Sequence, residues 1–242
     1  MRNIKEYTKN YNNIAFEKYQ VIFRRKKVLE LLEKSRPRRI LEIGCGMEPL
    51  FQYISWPIAN YTIVEPSKVF AEHAKELTDH GYLHVINQEY KATEELKNQR
   101  FDFIICSSLL HEVEDPASLL KEIVLSCLEN TVVHINVPNA NSMHRLIALE
   151  AGLIKDTHEM SDQNKRLEQH SIFDLKSLQD MVEQAGFKII GSGGYFIKPF
   201  THIQMAQILE YKIISEEILN GLYKLTDYIP ELSSEIWVNC KI

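Results

Sequence analysis

The chain reads as a doubly wound α/β protein, and three observations carry that expectation. An apolar strand runs straight into a glycine turn in Arg39-Ile40-Leu41-Glu42-Ile43-Gly44-Cys45-Gly46-Met47-Glu48-Pro49. Short β-branched strands then alternate with helical stretches as far as residue 135. After that point the alternation breaks into longer polar and helical sequence. Strands that are apolar on both faces belong in a parallel sheet covered by helices on each side, and strand–helix alternation winds that sheet in both directions.

Segment 15–33 sets Ile22, Val28, Leu29, Leu31 and Leu32 among Lys and Arg, an amphipathic helix that leads into the first strand. Its run Arg24-Arg25-Lys26-Lys27 reads as the solvated face. The first strand spans 39–43, with a short helix near 50–55. The second, 61–65, precedes a helix from 67 to about 79. Strand three is 82–86 and strand four 101–106, followed by a helix from 116 to about 128 and by strand five at 131–135. Beyond it, 141–169 is helical and polar, and 174–184 is a helix stopped at Gly186. Residues 187–200 are strand-like with a bend at Gly191-Ser192-Gly193-Gly194. Helical sequence covers 202–225, and 235–242 closes as an apolar strand.

With 242 residues, the chain has room for one large domain or a core with a modest insertion. A formal net charge of −5 gives no basic surface for nucleic acid phosphates. Cys45, Cys106, Cys127 and Cys240 form no C-x-x-C pair, so buried, reduced thiols are expected. Met1-Arg2-Asn3-Ile4-Lys5-Glu6-Tyr7 has no apolar signal core, and no run approaches the ~18–20 residues of a membrane span. The expectation is a soluble cytoplasmic protein.

The glycine turn lets the backbone approach a ligand, because a side chain at Gly44 or Gly46 would fill the ligand's space. Glu48 stands where the dinucleotide fingerprint sets further glycines. A carboxylate there repels a pyrophosphate and tolerates a phosphate-free cation. S-adenosylmethionine, with its sulfonium and ammonium groups, is such a ligand. Glu65 ends the second strand, about 20 residues after the turn, and is followed by Pro66. It can accept two hydrogen bonds from a ribose 2′,3′-diol, or it can simply complement the macrodipole of the next helix.

At these residues the chain resembles motif I of the class I S-adenosylmethionine-dependent methyltransferases, acidic-x-Gly-x-Gly-x-Gly, although the third glycine is missing. Cys106-Ser107-Ser108-Leu109-Leu110-His111-Glu112-Val113-Glu114-Asp115-Pro116 resembles the Leu-x-His-x-x-Asp-Pro region of the superfamily that includes the ubiquinone-biosynthesis O-methyltransferases. The resemblance spans about 38–136. It implies a Rossmann-like, mostly parallel seven-stranded sheet with an antiparallel last strand and helical substrate-side insertions. One domain over 1–242 would comprise a helical lead-in (1–37), a cofactor-binding core (38–138), and substrate-side insertions with the last strands (139–242).

The same resemblance implies that Glu42, Gly44, Cys45, Gly46, Glu65, Pro66 and Ser107 hold S-adenosylmethionine, with Glu42 attracting its ammonium. Glu89 would reach the adenine N6, with Tyr90 stacking on the ring or offering its backbone. Asn87-Gln88-Glu89-Tyr90 has a plainer reading as a polar loop. S-adenosylhomocysteine would be the product.

An oxygen nucleophile is helped by a general base, and histidine suits neutral pH. His111 leads, unless it only packs its loop; His144, His158 and His170 follow, unless they are surface or inter-helix histidines. Ile135-Asn136-Val137-Pro138-Asn139-Ala140-Asn141-Ser142-Met143-His144-Arg145, His158-Glu159-Met160-Ser161, His170-Ser171-Ile172-Phe173 and Gly194-Tyr195-Phe196-Ile197-Lys198-Pro199-Phe200 resemble bacterial methyltransferases of surface-polysaccharide gene clusters. That implies an O-methyltransferase for a sugar, a nucleotide-sugar or another phosphorylated precursor, or for a capsule phosphoramidate. His144 and His170 would serve with His111 in catalysis, and Asn139, Arg145, His158, Tyr195 and Lys198 would hold the acceptor. Arg145 and Lys198 are suited to grip a phosphate or carboxylate.

Among His144, His158 and His170 no pair has the H-x-x-x-H spacing, and no metal is expected. The expected partner is a small-molecule acceptor, with no nucleic acid and no membrane. A nicotinamide oxidoreductase is opposed by Glu48 and by the lack of a Tyr-x-x-x-Lys pair. A nucleic-acid methyltransferase would carry Asn/Asp-Pro-Pro-aromatic after strand four, which is missing. A quinone-like or carboxylate acceptor, and a non-catalytic S-adenosylmethionine-binding protein, stay open.

Overall fold

The computed structural model describes residues 15–77 and 81–242. The first 14 residues of the lead-in, and the expected helix end near 79, lie outside them. Seven strands form one sheet: β1 (Arg39–Ile43), β2 (Asn60–Val64), β3 (Leu83–Ile86), β4 (Phe103–Ser107), β5 (Val132–Pro138), β6 (Lys188–Tyr195) and β7 (Glu235–Lys241). Their order is β3-β2-β1-β4-β5-β7-β6. The first five pair in parallel, and β7 runs antiparallel between β5 and β6. The doubly wound sheet with an antiparallel last strand is therefore what forms. Strand order reverses between β1 and β4, which opens a crevice at their carboxyl ends.

Alternate strand residues feed opposite cores, as a period of two requires. Leu41, Ile43, Ile104, Cys106, Val133 and Ile135 pack under α4 (Pro116–Val124) and α7 (Leu175–Gln184). Ile40, Tyr61, Ile63, Phe103 and Ile105 pack on the other face, under α1 (Glu17–Ser35) and α2 (Lys68–Glu76). A third, aromatic cluster joins Phe16, Phe23, Tyr195, Phe196 and Tyr223, and fastens α1 to α8 (His202–Glu210) and α9 (Glu216–Lys224). The Phe23 ring stacks on Phe196 with centroids 4.6 Å apart and on Tyr223 at 5.4 Å. Among the described residues no helix is long and apolar enough to cross a membrane.

Local chemistry sets the helix ends. Pro116 opens α4, and the Asp115 carboxylate accepts from the Ser118 N–H. Asp174 and Ser177 cap α7 reciprocally, and Gly186, at φ +99°, follows its end. The helical reading of 141–169 resolves into two pieces, α5 (Met143–Glu150) and α6 (Asp162–Arg166), around an irregular loop. Gly152, at φ +70°, ends the first, and a Ser161–Asn164 capping box starts the second. A short α3 (Glu94–Lys97) was not anticipated.

The expected bend at Gly191–Gly194 does not form. β6 runs through these glycines, with one register irregularity between Ile189 and Gly191. They are small because neighbours crowd them. A Cβ on Gly193 would lie 3.1 Å from the Trp237 indole, and one on Gly194 would lie 2.2 Å from Ser233 Oγ and 2.7 Å from the Pro230 carbonyl oxygen.

Gly194→Ala therefore overpacks the junction between β6 and segment 230–234. We expect a loss of about 1–3 kcal/mol of unfolding free energy, read as a lower urea midpoint at unchanged slope. An unchanged midpoint would mean that the Ser233 segment moves aside freely.

Candidate functional site

The crevice at the strand-order reversal holds a cleft of about 610 Å³. Its walls come from the turn after β1 (Gly44 to Glu48), from Glu65, Pro66 and Ser67 after β2, from Ser107, Ser108 and Leu109 after β4, and from α1. Glu65 organises this end of the sheet. Its Oε2 accepts from the Cys45 N–H at 3.0 Å and the Gly46 N–H at 3.3 Å, and its Oε1 accepts from the Ser67 N–H at 2.8 Å. Gly44 and Gly46 take positive φ, +75° and +58°, and a Cβ on Gly46 would project into open space. Burial raises the Glu65 pKa, against the lowering effect of those amide hydrogen bonds.

Glu42 is the second buried carboxylate of the cleft. Tyr61 donates its hydroxyl to Glu42 Oε2 at 2.7 Å, and the Leu50 N–H lies 3.3 Å from the same atom. Among the described residues Glu42 has no cation at ion-pair distance. Burial pushes its pKa up to about 7, and Tyr61 and Leu50 hold it from rising further.

The basic run of α1 is not a solvated face. Arg24 donates Nε and Nη2 to the buried Glu235 carboxylate, at 3.0 and 2.6 Å, and also bonds Glu17. Arg25 pairs with Glu48 and lies over the Tyr53 ring, 4.0 Å from its centroid. Both arginines line the cleft, so α1 is one of its walls. The Glu48 charge that the sequence sets at the turn is therefore met by an arginine from a distant segment.

A smaller polar cavity of about 160 Å³ lies beside the cleft and shares Glu17, Arg24, Ser108 and Glu112 with it. Ser108 takes a left-handed φ of 55° at the end of β4 and so turns the chain between the two spaces. His111, Asn139, His144, Arg145, Lys198, His202 and Glu235 face this inner cavity. The Asn139 amide donates to the carbonyls of Glu231 and Ser233, at 2.9 and 2.8 Å. Arg145 donates to the carbonyls of Thr157 and Glu159, at 2.7 and 2.6 Å. Lys198 Nζ lies 2.9 Å from His202 Nδ1, and His202 Nε2 lies 3.6 Å from Glu17 Oε2. Burial, with Lys198, His202 and Arg145 nearby, holds His144 down to about 2.

Several sequence candidates stand elsewhere. Glu89 is exposed and does not line the cleft. Tyr90 turns from it towards α4, its hydroxyl 2.8 Å from Ser126 Oγ and its ring packed on the larger core. Tyr195 is buried beneath α1, with its hydroxyl on Glu235 and accepting from Asn136 Nδ2 at 2.7 Å. His158 is exposed between Asp156 and Asp174, at 3.6 and 3.4 Å. His170 is also exposed and meets the site only through its backbone N–H, which donates to the His111 carbonyl at 3.0 Å. None of these five side chains lines either cavity. His202, Glu17 and Glu235 had no local signal. Among the described residues no three His, Cys, Asp or Glu side chains converge as a metal-binding group.

Residues 12–191 match the family described as "Methyltransferase domain". No curated protein matches the sequence. An S-adenosylmethionine-dependent methyltransferase from Mesorhizobium loti superposes with a TM-score of 0.53 at 13% identity, over 84% of this chain and 90% of that one. The N-methyltransferase NodS from Bradyrhizobium japonicum, in complex with S-adenosyl-L-homocysteine, gives 0.52 at 11% identity over 90% and 85% of the two chains. The 4+2 cyclase SpnF gives 0.53 at 13% identity over 84% and 73%. At these identities the likeness is one of fold, and chemistry follows from the site.

Glu42 generates a prediction about stability. Its folded pKa, near 7, lies above the unfolded carboxylate value, so the folded state favours the neutral acid. That contribution is complete below the unfolded value and is lost as pH rises through 7. Glu42→Gln keeps the site neutral and can still accept from Tyr61. Its melting temperature, relative to the unsubstituted protein without ligand, should rise between pH 5 and 8, by on the order of 2–4 °C per kcal/mol. A difference that is flat with pH would refute the shift.

Proposed function

The chain belongs to the methyltransferase-domain family, and on that premise we propose that it moves a methyl group from S-adenosylmethionine to an oxygen of a small polar acceptor. Our reading of the acceptor is a sugar, a nucleotide-sugar or another phosphorylated precursor of a surface polysaccharide. The observation that carries the donor half is the pair of buried carboxylates, Glu42 and Glu65, beside an open glycine turn. A cationic, phosphate-free ligand suits such a cleft. S-adenosylmethionine is the cofactor, and when bound it supplies a methyl carbon activated by a sulfonium.

The chain's own residues do the rest. Glu42 attracts the ammonium, and that cation in turn favours its ionised form. Glu65 has acceptor capacity left on Oε1 for the ribose diol. Gly44, Cys45, Gly46, Pro66 and Ser107 shape the cleft around the nucleoside. The inner cavity orients the acceptor and limits its reacting group to a small one, in keeping with the proximity demands of an in-line displacement. Of the acceptor candidates from the sequence, Asn139, Arg145 and Lys198 face this cavity, and His111 and His144 stand with them. Because α1 walls both spaces, the lead-in and the core work as one domain. Four free thiols accord with a cytoplasmic setting.

Calorimetric titration with S-adenosylmethionine and S-adenosylhomocysteine tests the donor. We expect both to bind, and Glu65→Ala to weaken each by roughly tenfold or more, the size of a lost charge-assisted hydrogen bond. Methyl-labelled cofactor, offered with pools of nucleotide-sugars and polysaccharide precursors, tests the acceptor by the mass and position of the label. Absence of cofactor binding would sink the donor assignment. Binding without transfer to any pool would favour a non-catalytic binding protein, and label on nitrogen or carbon would overturn the oxygen acceptor.

A further inference from the structure

We propose that Lys198, positioned by His202 and Glu17, is the proton acceptor of the inner cavity and takes the hydroxyl proton of the methyl acceptor; this rests on the oxygen-acceptor reading above. Lys198 is 2% exposed and faces the cavity. The left-handed turn at Phe196, φ 60°, directs the chain there from the end of β6. Lys198 Nζ is within hydrogen-bond distance of His202 Nδ1, at 2.9 Å, and His202 Nε2 faces Glu17 Oε2 at the longer ion-pair distance of 3.6 Å. Lys198 donates one N–H to Nδ1, and His202 keeps its own hydrogen on Nε2, towards Glu17. In the neutral amine this leaves a lone pair available to the cavity.

The surrounding charges decide that Lys198 can work as a base. From α1, Arg24 is neutralised by Glu235 and Glu17. From α5, Arg145 is tied to two backbone carbonyls and His144 is too weakly basic to hold a proton. In the loop after β4, His111 Nε2 lies 3.9 Å from Glu112 Oε1. Among the described residues no carboxylate reaches ion-pair distance of Lys198 Nζ. Burial therefore brings Lys198 down to about 8, while the charges of Glu17 and Glu235 hold it from falling further. That value lies near the working pH, as a general base requires.

The step balances without another reactant. The acceptor oxygen forms a bond to the methyl carbon as the carbon–sulfur bond breaks and its electron pair goes to sulfur. The acceptor proton passes to the Nζ lone pair. One positive charge disappears at the sulfonium and one appears at the ammonium, where Glu17 and Glu235 stabilise it. A cationic donor nearby disfavours premature protonation of the amine, and the neutral thioether product removes that bias.

Carbon-13 NMR of protein labelled at the lysine ε-carbon tests this without knowledge of the acceptor, with the Lys198 signal assigned from its loss in Lys198→Met. We expect a titration midpoint near 8 in the free protein. Saturation with S-adenosylmethionine should lower it by on the order of one unit, the effect of a unit charge about 10 Å away at an effective dielectric near 20. S-adenosylhomocysteine should produce a much smaller change. At about pH 8.5 or above, where the amine is neutral in both states, Lys198→Met should keep cofactor affinity within about twofold and lose transfer by roughly 100-fold or more, with partial rescue by small primary amines. A midpoint in the ordinary lysine range, equal midpoints with the two ligands, or undiminished transfer by Lys198→Met would overturn the assignment. Failure of the donor reading looks different, because no lysine signal would then respond to S-adenosylmethionine at any pH.

Discussion

One buried carboxylate holds the walls of the inner cavity together. Glu235, at the first position of β7, accepts from Arg24 and Gln20 of α1, from Asn136 of β5 and from Tyr195 of β6. A buried charge is tolerated only when its lone pairs are met by donors in good geometry, and here they come from three separate elements. The consequence is positional. α1 is held across the carboxyl end of the sheet, where it contributes Glu17, Arg24 and Arg25 to the walls of the site. The stacked aromatics Phe23, Phe196 and Tyr223 reinforce the same attachment from the apolar side.

The cleft and the inner cavity differ in the sign of their spare charge, and burial acts on each in the opposite sense. Removing water from Glu42 penalises its carboxylate and pushes it up to about 7. Removing water from Lys198 penalises its ammonium and brings it down to about 8. A single physical cause thus carries an acid and a base towards neutrality from opposite sides. The cleft becomes receptive to a cation and the cavity to a proton. Ser108, in its left-handed turn, stands at the boundary between them.

Much of the framework was legible from local pattern. β1 forms over the five residues expected, and the glycine turn and Glu65 stand together at the strand-order reversal. The glycines of β6 were misread because Gly clusters signal bends, while their smallness here answers to Trp237 and Ser233, which arrive from the last strand and the segment before it. Arg24 and Arg25 were misread for a related reason. A charge run resembles a wet helix face until its partners are known, and Glu235 lies 211 positions from Arg24. Tyr90, Tyr195, His158 and His170 are residue types suited to a site, but none lines either cavity, and their side chains meet Ser126, Glu235, the Asp156–Asp174 pair and solvent.

The sequence by itself determined the strands apolar on both faces, the glycine turn after the first and the acids at the strand ends, because each depends on residues close together in the chain. Tertiary structure alone decided which polar side chains lose water and in whose company. Lys198 stands beside His202 and near Glu17 because β6 ends against α1, and α1 is there because Glu235 holds Arg24. Burial and long-range pairing set the chemistry of the inner cavity, and no local pattern encodes either.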